Sequence, residues 1–319
     1  MNIVILDTLP GNPGDISWSS LEVLGSLKTY EISPIETILE RAAEADILIT
    51  NKCKLSAEII NALPRLKMIS VTATGFDNID GIAARKKGVT VCNVPAYSTA
   101  STAQTSIALL LELTQQCGLH NQSVHAGEWT DSPTFSFWKT SLIELSGKSM
   151  LLVGSGNIGT AVGKVAAALG MTVYSAILPG RPERKEGFFE RIELHRALPE
   201  TDVLSLHCPL TDLTQGLVNA EFLSRMKSSA LIVNVSRGPV VVEQDVATAL
   251  QKGTIAGFAT DVLSAEPPAA DNPLLSAPNC IITPHLAWAT REARQRLWDV
   301  IAENVRAYMK QKPQNVVNG

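Results

Sequence analysis

The stretch Gly154-Ser155-Gly156-Asn157-Ile158-Gly159 constrains the fold most, because of what flanks it: an apolar, strand-like run at 149–153 and a helix-like run at 158–169 that Gly170 ends. A GxGxxG pattern alone is a weak signal, and the strand, loop and helix context is what makes it physical. Gly154 suits a tight turn, Gly156 lets phosphates come close to the backbone, and Gly159 lets helix and strand pack closely. The phosphates then rest on the helix N-terminus. Such a unit belongs in a parallel sheet.

The rest of the chain repeats that grammar. In the first hundred residues, β-branched runs at 2–6, 46–50, 67–71 and 89–92 read as buried parallel strands. Helical spacing lies between them at 36–45, 56–63 and 78–87, with Ser56 and Asp77 or Asn78 as expected N-caps. One long helix is expected over 99–117, stopping at Gly118. Residues 120–146 read as irregular and include Trp129, Phe135, Phe137 and Trp138, a length typical of a functional loop or one packed on a partner subunit. Six further strands follow at 149–153, 172–176, 202–207, 230–235, 256–261 and 280–283, then a terminal helix over 290–310. The expected fold is α/β: two Rossmann-like, doubly wound parallel-sheet domains with a cleft between them. A discontinuous substrate-binding domain takes 1–98 and 288–319, and a dinucleotide-binding domain takes 99–287. The only internal repeat is the βαβ grammar itself.

Composition excludes several function classes. With 319 residues, 45% hydrophobic and 18% charged, the chain can bury a sizeable core and is not disordered. A net charge of −4, and no basic run longer than Arg85-Lys86-Lys87, leave no footprint for nucleic acid or an anionic membrane. Cys53, Cys92, Cys117, Cys208 and Cys280 are widely spaced and odd in number, so they read as reduced core residues of a cytoplasmic protein, with no metal-ligand spacing. The first residues lack a basic region and read as a strand rather than a signal peptide. No apolar run reaches the roughly 20 residues a bilayer needs.

Three polar residues downstream of the glycine loop carry the chemistry: Arg237, Glu266 and His285, each just beyond an apolar strand-like run. Arginine grips a carboxylate in a two-point fork. Histidine passes a proton to or from a carbonyl oxygen, while a carboxylate orients it and favours its charged form. Each alone has a bland reading, Arg237 as a structural ion pair and His285 as a strand-end histidine. Three together on one sheet edge, where open α/β sheets bind ligands, point to redox chemistry on a small acid. The acidic residue that would bond a ribose 2′-hydroxyl is missing, since position 177 is Ile. Nothing there repels a 2′-phosphate, and Arg181 or Arg184 in the next loop is available to meet one, so NAD(H) and NADP(H) stay open.

Seven ordered blocks carry a resemblance: Ala73-Thr74-Gly75-Phe76-Asp77-Asn78-Ile79-Asp80, Asn93-Val94-Pro95-Ala96-Tyr97-Ser98-Thr99, the glycine loop, Leu206-His207-Cys208-Pro209-Leu210-Thr211, Asn234-Val235-Ser236-Arg237-Gly238, Asp261-Val262-Leu263-Ser264-Ala265-Glu266-Pro267 and Thr283-Pro284-His285. Over nearly its whole length the chain resembles the D-isomer-specific 2-hydroxyacid dehydrogenases. Asn51-Lys52, Phe135-Ser136-Phe137-Trp138 and the stretch from His285 through Trp288 to Arg294 resemble the glycerate dehydrogenase and hydroxypyruvate reductase branch. The resemblance implies that Arg237 binds the substrate carboxylate, His285 is the acid/base and Glu266 its partner. Backbone N–H groups of Thr74 and Gly75 would share the carboxylate, with Asn51, Lys52 and Trp288 also on the substrate. The implied cofactor set is Thr102, Gly154, Gly156, Asn157, Ile158, Gly159, Ile177, Arg181, His207, Cys208, Pro209, Thr214, Val235, Ser236, Arg237, Asp261 and His285. Ile177 departs from the family pattern, as does Ala100, where an acidic residue is frequent. The implied activity is hydride transfer between NAD(P)H and a small 2-oxo acid such as hydroxypyruvate or glyoxylate. The four aromatics of 120–146 would form an apolar patch if solvated, so they are expected to pack on a second copy in a homodimer, and no metal is expected. Two alternatives stand beside it. One is an enzyme of the same fold with another hydride donor, although formate enzymes of this fold pair the histidine with Gln rather than Glu. The other is a dinucleotide-sensing regulatory protein.

Overall fold

The computed structural model describes residues 1–178 and 188–319. The chain divides into two compact units, one of residues 1–98 and 289–319, the other of residues 99–288. Trp288 therefore falls in the second unit.

The first unit runs β1 (Asn2–Ile5), α1 (Ser19–Glu22), β2 (Ser26–Thr29), α2 (Ile38–Ala42), β3 (Ile47–Thr50), α3 (Ala57–Ala62), β4 (Met68–Val71), α4 (Gly81–Lys86) and β5 (Thr90–Cys92), and the chain's last helix, Arg291–Met309, completes it. Its five strands are parallel in the order β2-β1-β3-β4-β5. Val4, Leu48, Ile69 and Val91 share one core, and the alternate residues Ile3, Ile5, Ile47, Ile49 and Met68 are buried as well. That alternation explains why each strand is apolar throughout. The last helix packs on β4 and buries Trp298, whose Nε1 donates to the Gly11 carbonyl at 3.0 Å.

The second unit runs α5 (Thr99–Gln115), α6 (Cys117–His125), β6 (Ser149–Val153), α7 (Asn157–Ala168), β7 (Thr172–Ile177), β8 (Glu190–Glu193), α8 (Leu194–Ala197), β9 (Val203–Leu206), α9 (Ala220–Ser224), β10 (Leu231–Asn234), α10 (Glu243–Gln251), β11 (Gly257–Thr260) and β12 (Cys280–Ile282). Its strand order is β12-β11-β10-β9-β6-β7-β8, all parallel, so the order reverses between β6 and β9. Leu151 and Val153 face a core shared with α8, α9 and α10, while Met150 and Leu152 face one shared with α5 and α7. Helices on both faces define a doubly wound sheet.

Three local expectations are corrected, and a fourth holds in position. Residues 117–125 form a helix, so the segment expected to be irregular is only partly so. The strands β2 and β8 were not anticipated, which makes the second sheet seven-stranded rather than six-stranded. Helix α4 is capped by Asp80, which accepts from Ala83 N–H at 2.8 Å, rather than by Asp77 or Asn78. Ser56 occupies the N-cap of α3 without a side-chain cap bond.

Both sheets are also tied by one device at their amino edges. Asp46 accepts from Asn2 N–H at 2.9 Å and pairs with Lys67 at 3.0 Å, and Asp202 accepts from Ser149 N–H at 2.9 Å and pairs with Lys227 at 3.0 Å. The hydrogen bond and the ion pair hold the Asp46 and Asp202 carboxyls below the usual range. No helix among the described residues is long and apolar enough to cross a membrane.

Candidate active site

The glycine loop opens α7 at the point where the strand order reverses. Gly154 has φ +100°, and a Cβ there would lie 2.7 Å from the His207 carbonyl and 2.8 Å from Cys208 N. The glycine is thus required by its left-handed backbone and by the loop after β9, which it meets directly. A Cβ on Gly159 would lie 2.0 Å from the Gly154 carbonyl oxygen, which is the close helix–strand contact expected of it. Gly156 differs: a Cβ there would meet no described atom within 4 Å. A cavity of about 450 Å³ opens beside it, lined by Thr99, Ser155, Gly156, Asn157, Thr160, Ala161 and Lys164. An open glycine at the N-terminus of a 12-residue helix fits a dinucleotide pyrophosphate, with Gly156, Asn157 and Ile158 N–H groups as donors.

Around that loop the other cofactor candidates differ in role. Ile177 ends β7, half-buried and without an oxygen to offer a ribose. Arg181 and Arg184 lie outside the described residues. The His207 Nε2 pairs with the Ser205 hydroxyl at 2.8 Å while its Nδ1 is shielded and unpaired. Burial pushes this imidazole down to about 3, so it is neutral. The Thr214 hydroxyl is fully buried and donates to the Pro209 carbonyl at 2.6 Å, while accepting from Thr211 N–H at 2.8 Å. Its place is inside the loop that carries Cys208 and Pro209. Thr102 is buried on α5, and Val235 and Ser236 follow β10.

The catalytic candidates come from three successive strand ends. After β10, Asn234 shapes the turn: its Oδ1 accepts from Ser236 N–H at 3.0 Å and Oγ–H at 2.8 Å, and its Nδ2 donates to the Arg237 carbonyl at 3.0 Å. Arg237 is exposed, with Nη1 donating to the Ser236 carbonyl at 2.8 Å. After β11, the Glu266 Oε1 accepts from Leu263 N–H at 3.1 Å and its Oε2 meets His285 Nδ1 at 2.6 Å. After β12, His285 sits at φ +52°, and its N–H donates to the carbonyls of Asp261 and Thr283, both at 2.9 Å.

Two contacts join these loops. A Cβ on Gly238 would lie 2.0 Å from the Leu263 carbonyl carbon and 2.3 Å from Ser264 N, so the residue after Arg237 rests directly on the loop that carries Glu266. Asp261 holds the other side. Its Oδ1 accepts from the Thr283 hydroxyl at 2.6 Å and Leu286 N–H at 2.9 Å, and its Oδ2 from Ala287 N–H at 2.8 Å. Burial pushes this carboxyl above the usual range, against the lowering by those three donors. Asp261, assigned to the cofactor from the sequence, is thus engaged in folding the turn that presents His285. The contacts of Asn234 and Gly238 went unnoticed in the sequence, where their only signals were an Asn at a strand end and a Gly after the Arg.

Four of the remaining substrate candidates lie on loops of the first unit, and Trp288 lies in the second. Asn51 and Lys52 follow β3, and their N–H groups donate to Asp7 at 2.7 and 2.6 Å, as Cys53 N–H does at 3.2 Å. Thr74 follows β4 and is fixed by its own hydroxyl to Val94 at 2.9 Å and by Asn93 Nδ2 on its carbonyl at 2.7 Å. Gly75 is next in that loop. Trp288 is half-buried just after the His285 turn.

Residues 107–287 match the model of the D-isomer-specific 2-hydroxyacid dehydrogenase NAD-binding domain. The chain is 44% identical to a hydroxypyruvate reductase of Blautia hydrogenotrophica, covering 100% of both. It is 38% identical to a glycerate dehydrogenase of Methylorubrum extorquens, covering 88% of each. Among solved structures, an NADPH-dependent glyoxylate/hydroxypyruvate reductase from Sinorhizobium meliloti superposes with a TM-score of 0.85 at 27% identity, covering 99% of this chain and 97% of the other. A doubly wound sheet with its glycine loop, a paired carboxylate and imidazole, and a matching relative over the full length lead to one conclusion: the chain belongs to the D-isomer-specific 2-hydroxyacid dehydrogenase family and is an NAD(P)-dependent oxidoreductase of that family.

Proposed function

We propose that the protein reduces hydroxypyruvate or glyoxylate to the corresponding 2-hydroxy acid, D-glycerate or glycolate. The observation that carries this reading is the 2.6 Å contact between Glu266 and His285 Nδ1 in a loop set that also fixes Arg237. With Nδ1 engaged by the carboxylate, Nε2 is the nitrogen that protonates the carbonyl oxygen of the substrate. Glu266 holds Nδ1 at 2.6 Å and so fixes the orientation of the ring. Arg237 takes the substrate carboxylate in a planar fork, which orients the 2-oxo carbon. Bound NAD(P)H supplies the hydride to that carbon. Asn51, Lys52, Thr74, Gly75 and Trp288 are assigned to the substrate on the sequence. The relatives named above support a small, hydroxymethyl- or hydrogen-bearing 2-oxo acid rather than a long one.

The deciding experiment follows NADH and NADPH oxidation with glyoxylate, hydroxypyruvate, pyruvate and larger 2-oxo acids. Highest kcat/KM on hydroxypyruvate or glyoxylate is expected. Preference for a branched or aromatic 2-oxo acid would refute the substrate assignment, and no turnover on any of them would favour a dinucleotide-sensing role.

The reading includes a cytoplasmic homodimer. Trp129, Phe135 and Trp138 are 53%, 90% and 69% exposed, and such a patch on a single copy calls for a covering surface. Light scattering that gives a monomer mass at micromolar concentration would overturn the dimer.

A further inference from the structure

We infer that Glu243 is a positioning residue for the acid/base pair, acting through the exposed loop that carries Glu266. This rests on the reading of His285 as the proton donor. Residues 264–271 are exposed and belong to no helix or strand, so the anchoring of both ends bears on how Glu266 is kept 2.6 Å from His285, beside the bond it accepts from Leu263 N–H. Glu243 touches both ends of it. Its Oε1 accepts from Ser264 N–H at 2.6 Å and its Oε2 from Asn272 Nδ2 at 2.7 Å. Asn272 in turn accepts from Leu274 N–H at 3.0 Å, which roots that end in the next helical turn.

Glu243 is itself well anchored. It is the first residue of α10, where a carboxylate interacts favourably with the helix N-terminus. The connection from β10 to α10 brings it there by way of Arg237 and Gly238, and Gly238 backs onto Leu263 and Ser264. The Ser264 backbone thus meets both this glycine and the Glu243 carboxylate, two residues before Glu266. Charge-assisted bonds of 2.6 and 2.7 Å are the strong kind. One side chain thus closes the loop at both ends without touching the imidazole. The other carboxylate acting on His285 is Asp261, whose bonds to Thr283, Leu286 and Ala287 do not involve Glu243.

The test compares Glu243→Gln, Glu243→Ala, Asn272→Ala and Glu266→Gln in the full-length enzyme, reading kcat/KM for hydroxypyruvate reduction against pH. Reduction needs protonated His285, so activity falls on the alkaline side. Glu266→Gln, which removes the partner charge, is expected to move that fall to lower pH. Glu243→Ala is expected to move it in the same direction by a smaller amount. Glu243→Gln, which keeps one acceptor for Ser264 N–H, and Asn272→Ala, which removes one anchor, are expected to fall between Glu243→Ala and the parent. A merely structural role would lower Tm and leave the limb in place. If Glu266→Gln shifts the limb and none of the other three does, the positioning role is refuted while the acid/base assignment stands. If Glu266→Gln shifts nothing, the pairing itself fails and the inference falls with it.

Discussion

Replacing Gly238 by Ala tests whether Arg237 and Glu266 belong to one mechanical unit. The added Cβ would sit 2.0 Å from the Leu263 carbonyl carbon, 2.2 Å from its oxygen and 2.3 Å from Ser264 N, whereas ordinary contact begins near 3.4 Å. All three obstacles are backbone atoms, so no rotamer change relieves the clash. The two loops must separate by about 1.4 Å at this point. Arg237 is one residue away on one side, and on the other Leu263 N–H is bonded to Glu266. A misplacement of about 1 Å in catalytic groups is worth roughly 10²-fold in rate. Overpacking of a tight contact destabilises by about 1 to 3 kcal/mol. We therefore expect kcat/KM for hydroxypyruvate to fall on the order of 10²-fold with a Tm lowered by several degrees. Dinucleotide affinity, followed by quenching of intrinsic fluorescence, should change far less, because the loop from Gly154 to Gly159 is untouched. A variant within threefold of the parent and with an unchanged Tm would refute the coupling.

His285→Gln should lower turnover by about 10²- to 10⁴-fold with dinucleotide binding retained, as the proposed action of the imidazole on the reacting oxygen requires; activity within a few-fold of the parent in stopped-flow reduction would remove it from the acid/base role. Arg237→Lys keeps the charge but loses the planar fork, so kcat/KM should drop strongly, and near-parental kinetics would send the search for the carboxylate clamp to Lys52. Ile177→Asp adds an acceptor for ribose hydroxyls at the end of β7 and a charge that repels a 2′-phosphate, so the NADH to NADPH ratio of kcat/KM should rise; an unmoved ratio would place cofactor choice elsewhere. His207, pushed from 6.5 to about 3 by burial, stays neutral in the folded protein while the unfolded chain takes up a proton below 6.5. Stability from this group is therefore full above pH 6.5 and is lost as pH falls towards 3, at up to about 1.4 kcal/mol per pH unit. Urea midpoints at pH 7 and pH 5 should converge in His207→Gln relative to the parent, and an equal acid loss in both proteins would contradict the burial.

What was legible in the sequence follows from where each element sits. Strands such as β3 and β9 are buried on both faces, so they read as continuous apolar runs. The strands that escaped notice, Ser26–Thr29 and Glu190–Glu193, are sheet edges with mostly solvated side chains, so no hydrophobic pattern marks them. Helix Cys117–His125 hid for a similar reason: among its residues only Ser123 is buried, and its polar sequence carries no apolar stripe. The residues assigned to the chemistry could be singled out because the strands they follow could be placed. Their supports were not, because Gly238 with Leu263, or Glu243 with Ser264 and Asn272, are contacts across 20 to 30 residues of chain. Composition and spacing hold no record of such meetings.

Asp261, assigned to the cofactor from the sequence, also carries a folding task. A carboxylate at a strand end facing a cofactor site invites the reading of a direct ligand contact. Here both oxygens accept from the 283–287 turn, and Asp7 does the same for the turn at 51–53. In each case burial raises the carboxyl pKa while backbone N–H groups oppose the rise, so the N–H donors and the carboxylate stabilise one another in a place neither would occupy alone. A carboxylate suits this use because two oxygens accept from several diverging donors, which an amide cannot match with its single acceptor. At 283–287 the result is a histidine in the left-handed region, a conformation that costs of order 1 kcal/mol or more and persists only when its surroundings over-determine it. Three bonds to the Asp261 carboxylate and two from His285 N–H supply that over-determination. The imidazole is thus placed by its neighbours' backbone rather than by its own preference, and its aim towards Glu266 is set before any substrate arrives.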